Sequence, residues 1–192
     1  GLLVNAQLPD YTLQLSGAYK STIRVGNLSM HKTLFNPLND RLFLGLGIRA
    51  SAFKGFDIDY TTADGDLRKN DGNIDHLYLD NSLHASLSLM LNGEFAIMDR
   101  LRVGINFDLI GYSFGKEVEG EYTPGQNAQN QGSIASMSEK ANPTEKNVFL
   151  VGNPVTGSPN TQIFVRFVPG NRFSLYGGLS YNHSQYDSKL PL

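Results

Sequence analysis

The chain has 192 residues, of which only 18% are charged, while an ordinary soluble domain carries about 25%. Its formal net charge of −2 gives no general attraction to nucleic acid, and the absence of cysteine excludes disulfides and thiolate chemistry. No run of about 18 apolar residues occurs, which excludes a transmembrane helix.

Six segments alternate apolar and polar residues with a period of two, which is typical of strands with two different faces. In chain order they begin at Tyr11, Leu42, Leu83, Leu101, Gln162 and Phe173. Weaker alternation over residues 22–30 predicts a seventh strand, and residues 147–151 are a candidate for another. Because bacterial single-chain membrane barrels use even numbers of strands, we predict about eight.

Two acidic, polar segments interrupt this alternation, and we predict long loops at residues 54–80 and 116–160. The connections at residues 36–40, 96–100 and 169–171 are short. Short connections on one rim and long ones on the other are typical of outer-membrane barrels. We expect residues 1–192 to form a single domain.

The polar faces of the predicted strands carry small and amide side chains with a few charges, rather than the Lys and Glu of a solvated surface. Lys20 and Glu94 are placed only at strand ends. Such faces fit a narrow lumen in which charges must pair, while the Leu, Ile, Val and Phe faces fit lipid. The predicted fold is therefore all-β: an antiparallel, up-and-down transmembrane β-barrel of outer-membrane type. Its predicted polar network in the lumen consists of Arg49, His84, Arg102, Asn106, Asp108 and Arg166.

Aromatic residues on the apolar faces are expected to form belts at the two membrane interfaces. The predicted belt at the short-turn rim contains Tyr11, Phe95, Phe167 and Phe173, and the belt at the long-loop rim contains Tyr19 and Tyr181. Phe53 and Tyr112 fall on the polar face unless a β-bulge shifts the alternation.

Four segments resemble strands of a group of uncharacterised outer-membrane β-barrel proteins of Gram-negative bacteria. They are LFLGLGIRAS (42–51), DYTTA (59–63), LRVGINFDLIGYSFG (101–115) and SLYGGLSYN (174–182). The resemblance implies a barrel in the bacterial outer membrane and carries no established catalytic residues.

Six aspartates crowd the first predicted loop, where their oxygens would suit Ca²⁺: Asp57, Asp59, Asp64, Asp66, Asp71 and Asp75. Their spacing does not match an EF-hand, so a solvated acidic loop is favoured. The four histidines show no metal-ligand spacing. We expect no metal and no cofactor.

His183, Ser184 and Asp187 contain the residue types of a hydrolase triad. Strand alternation places His183 and Asp187 on one face and Ser184 on the other, so a nucleophile–base hydrogen bond is not expected. We therefore do not expect an enzyme, and lipid hydrolysis is kept as an alternative.

The leading hypothesis is an integral outer-membrane barrel with a structural or surface-binding role and no specific activity. Its expected partners are outer-membrane lipid and an extracellular ligand at the long loops, with no nucleic acid. The alternative from another class is a soluble, lipocalin-like barrel that carries a small apolar ligand. No charged n-region followed by an apolar h-region is found, so the chain is expected to be processed.

Overall fold

The computed structural model describes residues 3–7, 11–62, 69–127, 136–148, 156–170 and 173–188. Within them the strands form one antiparallel, barrel-like sheet, which confirms the all-β prediction. A short helix α1 (Pro37–Asp40) and a 3-10 turn (Asp71–Asn73) interrupt it, and no helix in the described ranges could cross a membrane. The strands are β1 (Leu3–Gln7), β2 (Thr12–Lys20), β3 (Ile23–Phe35), β4 (Leu42–Thr61), β5 (His76–Met98), β6 (Leu101–Gly115), β7 (Val118–Thr123), β8 (Met137–Pro143), β9 (Lys146–Val148), β10 (Asn160–Phe167), β11 (Phe173–Asn182) and β12 (Tyr186–Ser188).

Eight of these strands, which we call the ring, pair so that the last returns to the first. Strands β1 to β6 pair in chain order, β6 pairs with β10, β10 with β11, and β11 with β1. The eighth strand is Leu3–Gln7, which period-two alternation did not identify. The candidate at residues 147–151 contributes only to β9, which pairs with the end of β6, and residues 149–151 lie outside the described part.

The connections differ in length at the two ends of the ring. The short-turn end carries the β3–β4, β5–β6 and β10–β11 connections. Residues 171–172 of the β10–β11 connection lie outside the described part. The opposite, long-loop end carries the β4–β5 connection and the segments between β6 and β10. It also carries the two-residue β2–β3 turn, so the predicted segregation of short and long connections is incomplete.

Much of the two predicted loops is strand, which corrects their extents. Strands β4 and β5 continue to Thr61 and from His76, so the connection between them covers only residues 62–75. The second predicted loop contains β7, β8 and β9, and β7 pairs with both β5 and β8. These strands are short and contain mostly polar, charged or small residues, so their composition resembled that of a loop. We call residues 57–61, residues 76–80, β7, β8 and β12 the extension.

The side chains of the ring are polar inside and apolar outside. Buried polar interior residues are Thr12, Gln14, Ser16, Asn27, Ser29, His31, Arg49, His84, Ser86, Ser88, Asn92, Glu94, Asn106, Asp108, Asn160, Gln162, Arg166 and Ser174. Apolar or aromatic side chains are buried among them at Val25, Phe53, Met90, Phe164 and Tyr176. Exposed exterior residues are Leu13, Leu15, Leu28, Met30, Leu44, Leu46, Ile48, Leu83, Leu87, Leu89, Ile105, Ile163, Val165, Phe167, Leu175 and Leu179. This is the reverse of the polarity of a protein folded in water.

The extension has the opposite, ordinary polarity, because Leu77, Leu79 and Ala141 are buried in a small core while Asp57 and Asp80 are exposed. It is built partly from the same two strands as the ring. In β4 the alternation of inward and outward side chains shifts by one residue at Asp57. Its φ of 51° is in the left-handed region, which Asp tolerates better than most residues. As a result, polarity reverses within single continuous strands.

A β-bulge at Leu109 changes the phase of β6. Leu89 pairs with Ile110 and Met90 pairs with Asp108, which leaves Leu109 as the extra residue. Asp108 precedes the bulge and is buried in the same alternation as Asn106, while Tyr112 follows the bulge and therefore faces outward. Phe53 needs no bulge, since it is buried inside the ring, where its ring stacks on that of His84 at 4.8 Å.

Candidate functional site

The middle of the ring is crossed by a buried ion pair. Arg49 Nη1 on β4 lies 3.0 Å from Asp108 Oδ1 on β6, and both side chains are at most 1% exposed. The guanidinium also donates to the backbone oxygen of Asn160, to Gln162 Oε1 and to Met90 Sδ. Asp108 Oδ2 accepts from the backbone N–H of Asn160 at 3.0 Å. Burial of charge is costly unless it is compensated in this way.

Amide side chains extend this layer across the lumen. Asn106 Nδ2 donates to Gln14 Oε1 and Gln162 Oε1 at 3.3 Å, and Asn106 Oδ1 accepts from Asn92 Nδ2 at 2.7 Å. Gln162 Nε2 reaches Ser16 Oγ on β2. The hydrogen bonds therefore connect strands on opposite sides of the ring, and their donors and acceptors occupy its interior.

A second charged cluster lies toward the short-turn end. Arg166 Nη1 lies 3.0 Å from both carboxylate oxygens of Glu94, and Arg166 Nε donates to Ser174 Oγ. Arg102 Nη1 lies 3.5 Å from Glu94, with its guanidinium 4.0 Å above the ring of Phe43. Arg102 and Arg166 are directly opposed on neighbouring strands, so the Glu94 carboxylate offsets a like-charge contact.

The long-loop end is closed by aromatic and hydrogen-bonded side chains. The rings of His84 and Tyr186 meet edge to face at 6.0 Å. Asn147 of β9 exchanges two hydrogen bonds with Ser113 of β6 and accepts from the backbone N–H of Ser158. Side chains thus fill the lumen at three successive levels.

All six predicted lumen residues lie on the inner face, but they do not form one network. Arg49, Asn106 and Asp108 belong to the middle level. Arg102 and Arg166 lie toward the short-turn end, with the Arg102 side chain 23% exposed. His84 lies at the long-loop end.

Glu94, the residue that connects the two arginines, was missed by sequence reasoning. The prediction placed Glu94 at the end of a strand, whereas β5 continues to Met98. The alternation that points Asn92 inward also points Glu94 inward, and both are buried. Extending this alternation by two residues would have identified it.

The six predicted interface aromatics all face outward and are at least 42% exposed. Tyr11, Phe95, Phe167 and Phe173 lie toward the short-turn end, while Tyr19 and Tyr181 lie toward the long-loop end. Tyr112 joins the exposed aromatics because of the bulge at Leu109.

The extension carries an open groove of about 570 Å³ on its outer side. Three carboxylates and one phenol give this groove an acidic, polar lining. Its lining residues are Tyr78, Asp80, Glu119, Gly120, Glu121, Ser136, Met137 and Ser138. The groove is therefore suited to contacts with a cationic or hydrogen-bonding group.

Beneath the groove, tyrosines pack into the small core of the extension. Burial and the neighbouring Asp75 carboxylate raise the pKa of Tyr122 to about 12. Burial also raises the pKa of Tyr60, whose hydroxyl contacts those of Ser82 and Ser184. These phenols are consequently neutral near pH 7.

Three of the aspartates in the first predicted loop have separate partners. Asp57 accepts a hydrogen bond from Tyr78 Oη, Asp59 lies 2.8 Å from His76 Nδ1, and Asp75 accepts from the backbone N–H of Gly125. Asp64 and Asp66 lie outside the described residues. In the described ranges, no three His, Cys, Asp or Glu side chains are arranged to hold a metal ion.

The triad candidates have other partners. The Ser184 hydroxyl lies 3.3 Å from Tyr60 Oη, and Asp187 Oδ1 accepts a hydrogen bond from Thr144 Oγ1 at 2.8 Å. The backbone N–H of His183 donates to the oxygen of Pro159. These contacts connect β12 and the residues before it to Tyr60, Thr144 and Pro159.

Comparison with protein-family models, with curated proteins and with solved structures gives no match to this chain. Its function is therefore argued from the geometry alone.

Proposed function

We propose that this protein is an integral β-barrel of the bacterial outer membrane, with a structural or surface-binding role. The single observation that carries the proposal is the reversal of polarity between the ring and the extension. A ring that is polar inside and apolar outside is stable where lipid surrounds it, while an extension with an apolar core is stable in water.

The height of the apolar exterior supports this proposal. On β3, Arg24 and Lys32 both face outward, and the exposed residues Leu28 and Met30 lie between them. Eight residues of tilted strand span about 20 Å along the barrel axis, close to the apolar band of about 25 Å in membrane barrels. Lys32 and Arg24 each lie within 5.6 Å of a tyrosine ring, those of Tyr11 and Tyr19. Aromatic rings are expected at both interfaces.

The filled lumen favours a structural or binding role over transport. The Arg49–Asp108 pair and the Glu94–Arg166 pair occupy two levels of the ring, and an eight-stranded barrel is just wide enough for side chains to fill. The acidic groove of the extension is then the surface on which we place an extracellular ligand.

The two alternative functions have less support. A soluble carrier of apolar ligands requires an apolar interior, but the buried interior residues of the described ring strands are mainly polar and charged. A lipid hydrolase requires an activated nucleophile, but the neighbour of the Ser184 hydroxyl is the phenol of Tyr60, whose pKa is raised by burial.

Vesicle binding tests the proposal. We expect protein refolded in detergent to insert into phosphatidylcholine vesicles and to float with them in a density gradient after an alkaline carbonate wash. We expect this insertion because it buries the apolar exterior of the ring in hydrocarbon. A chain that stays monodisperse without detergent and separates from the vesicles would contradict the proposal and favour the soluble barrel.

Electrical recording tests the structural role separately. We expect the inserted protein to give no sustained conductance steps in a planar bilayer, because charged and amide side chains fill its lumen. Empty bilayer with the same detergent is the control. Regular, stable steps would show that the lumen conducts and would replace the structural role with transport.

A further inference from the structure

A basic and aromatic cluster lies on the outside of the ring at the long-loop end. Tyr19, Arg24 and Lys54 are cross-strand neighbours on β2, β3 and β4. The Arg24 guanidinium carbon lies 5.6 Å from the ring centre of Tyr19 and 5.2 Å from that of Phe56, and Lys54 Nζ lies 4.8 Å from the same Phe56 ring. Aromatic rings therefore hold two cations side by side.

These two cations have no acidic partner in the described part of the chain. The ion pairs there involve Arg49, His76, Arg102, Lys140 and Arg166, but neither Arg24 nor Lys54. The carboxylate of Asp57, close to Lys54 in sequence, accepts a hydrogen bond from Tyr78. Like charges directly opposed on neighbouring strands are destabilising, so an external anion would stabilise this pair.

A row of small residues lies directly below the two cations on the same outer face. Gly17 pairs with Gly26, Gly26 with Ala52, and Ala52 with Ala85. A Cβ added to Gly26 would meet no atom within 4 Å. The exposed residues Leu15, Leu28 and Leu87 lie one row further down. The small residues thus form a shallow apolar depression, which we call the channel, that crosses β2 to β5 parallel to the cation row and directly below it.

We propose that this cluster and channel bind a phosphorylated, acylated lipid in the leaflet at the long-loop end. The phosphate contacts Arg24 and Lys54, with the Tyr19 hydroxyl beside them, and an acyl chain descends from it across the small-residue row toward Leu28. The inference rests on the proposed function, because only a barrel in lipid presents this face to acyl chains. Charge complementarity and the adjoining channel together favour a lipid phosphate over a free anion.

Native mass spectrometry of the detergent-solubilised protein tests the site with three probes: dioleoyl phosphatidic acid, dioleoylglycerol and inorganic phosphate. We expect retention of phosphatidic acid and not of the other two. The double variant Arg24→Gln/Lys54→Gln should weaken that retention roughly 30-fold, since two membrane-surface cations are lost. Gly26→Leu should also weaken it, because the added side chain fills the channel while both charges remain.

Lys32→Gln is the matched control. Lys32 is on β3 like Arg24 but lies at the short-turn end, where its Nζ is 5.4 Å from the centre of the Tyr11 ring. Its retention of phosphatidic acid should stay at the wild-type level. Three results would overturn the site. The double variant could retain phosphatidic acid as well as wild-type protein does, or wild-type protein could retain dioleoylglycerol as well as phosphatidic acid. Inorganic phosphate could also compete fully with phosphatidic acid. If the double variant does not fold, Gly26→Leu and the three probes on wild-type protein still decide.

Vesicle flotation separates the two proposals. Wild-type protein that floats but shows no preference for phosphatidic acid would overturn only the lipid site. Wild-type protein that does not associate with vesicles would overturn the proposed function, and the lipid site with it.

Discussion

Replacing Arg49 with alanine is expected to lower the free energy of unfolding by about 3–5 kcal/mol, because it leaves a buried carboxylate without its cation. Asp108 is 1% exposed and would keep only hydrogen-bonding partners such as the backbone N–H of Asn160. Urea-dependent unfolding in lipid vesicles measures this change.

Two further variants make this experiment specific to charge. The double variant Arg49→Gln/Asp108→Asn keeps polar atoms in place but removes both charges. It should recover at least half of the free energy of unfolding that Arg49→Ala loses. Ser51→Ala, two residues along β4, removes a buried hydroxyl that has no hydrogen-bond partner and should be close to neutral. An effect of Arg49→Ala as small as that of Ser51→Ala would mean that water solvates the pair and that the lumen is open.

Replacing Ile48 with arginine is expected to destabilise the vesicle-inserted protein by about 2–4 kcal/mol, the cost of a cation near the middle of a bilayer. Ile48 is 50% exposed, and its cross-strand neighbours Met30 and Leu89 are exposed as well. The same substitution on a surface facing water changes stability by no more than about 0.5 kcal/mol. Unfolding in vesicles therefore reports which solvent this face meets.

Met137→Arg is the matched control for Ile48→Arg. Met137 is also exposed, at 39%, but it lies on β8 of the extension. We expect it to be neutral in vesicles. Equal, small effects at both positions would contradict the membrane proposal, and equal, large effects would place the extension in lipid as well.

The sequence predicts the ring better than the extension, for a physical reason. Long alternating runs such as the one from Leu42 contain enough apolar residues for the period to be visible. In the extension, residues 57–61 alternate between acidic and apolar or aromatic side chains over only five positions. Their pairing with residues 76–80 is long-range, and their core includes residues from distant strands such as Ala141. Composition alone therefore suggested a loop.

Strand alternation predicts which residues of the site face inward, but not which ones meet. The side chains of Arg49 and Gln162 are 113 positions apart and touch only because the ring brings β4 and β10 to opposite walls of one narrow lumen. The bulge at Leu109 is signalled in the sequence only by Tyr112, which otherwise falls on the polar face, and its position follows from the pairing of β6 with β5. The division of the network into three levels follows from strand register, which depends on pairing partners.

In the proposed membrane barrel, the polarity switch at Asp57 would set how deep the ring sits in the bilayer. A strand of uniform polarity could slide along the membrane normal at little cost, because every two-residue step would present an equivalent face. Here such a step toward the hydrocarbon would carry the Asp57 and Asp59 carboxylates inward, and a step away would move Leu83, next to the boundary, into water. β4 and β5 cross this boundary without a break, so the outer groove keeps a constant height above the membrane. A ligand held there would meet a surface that neither sinks nor rises as the lipid around it fluctuates.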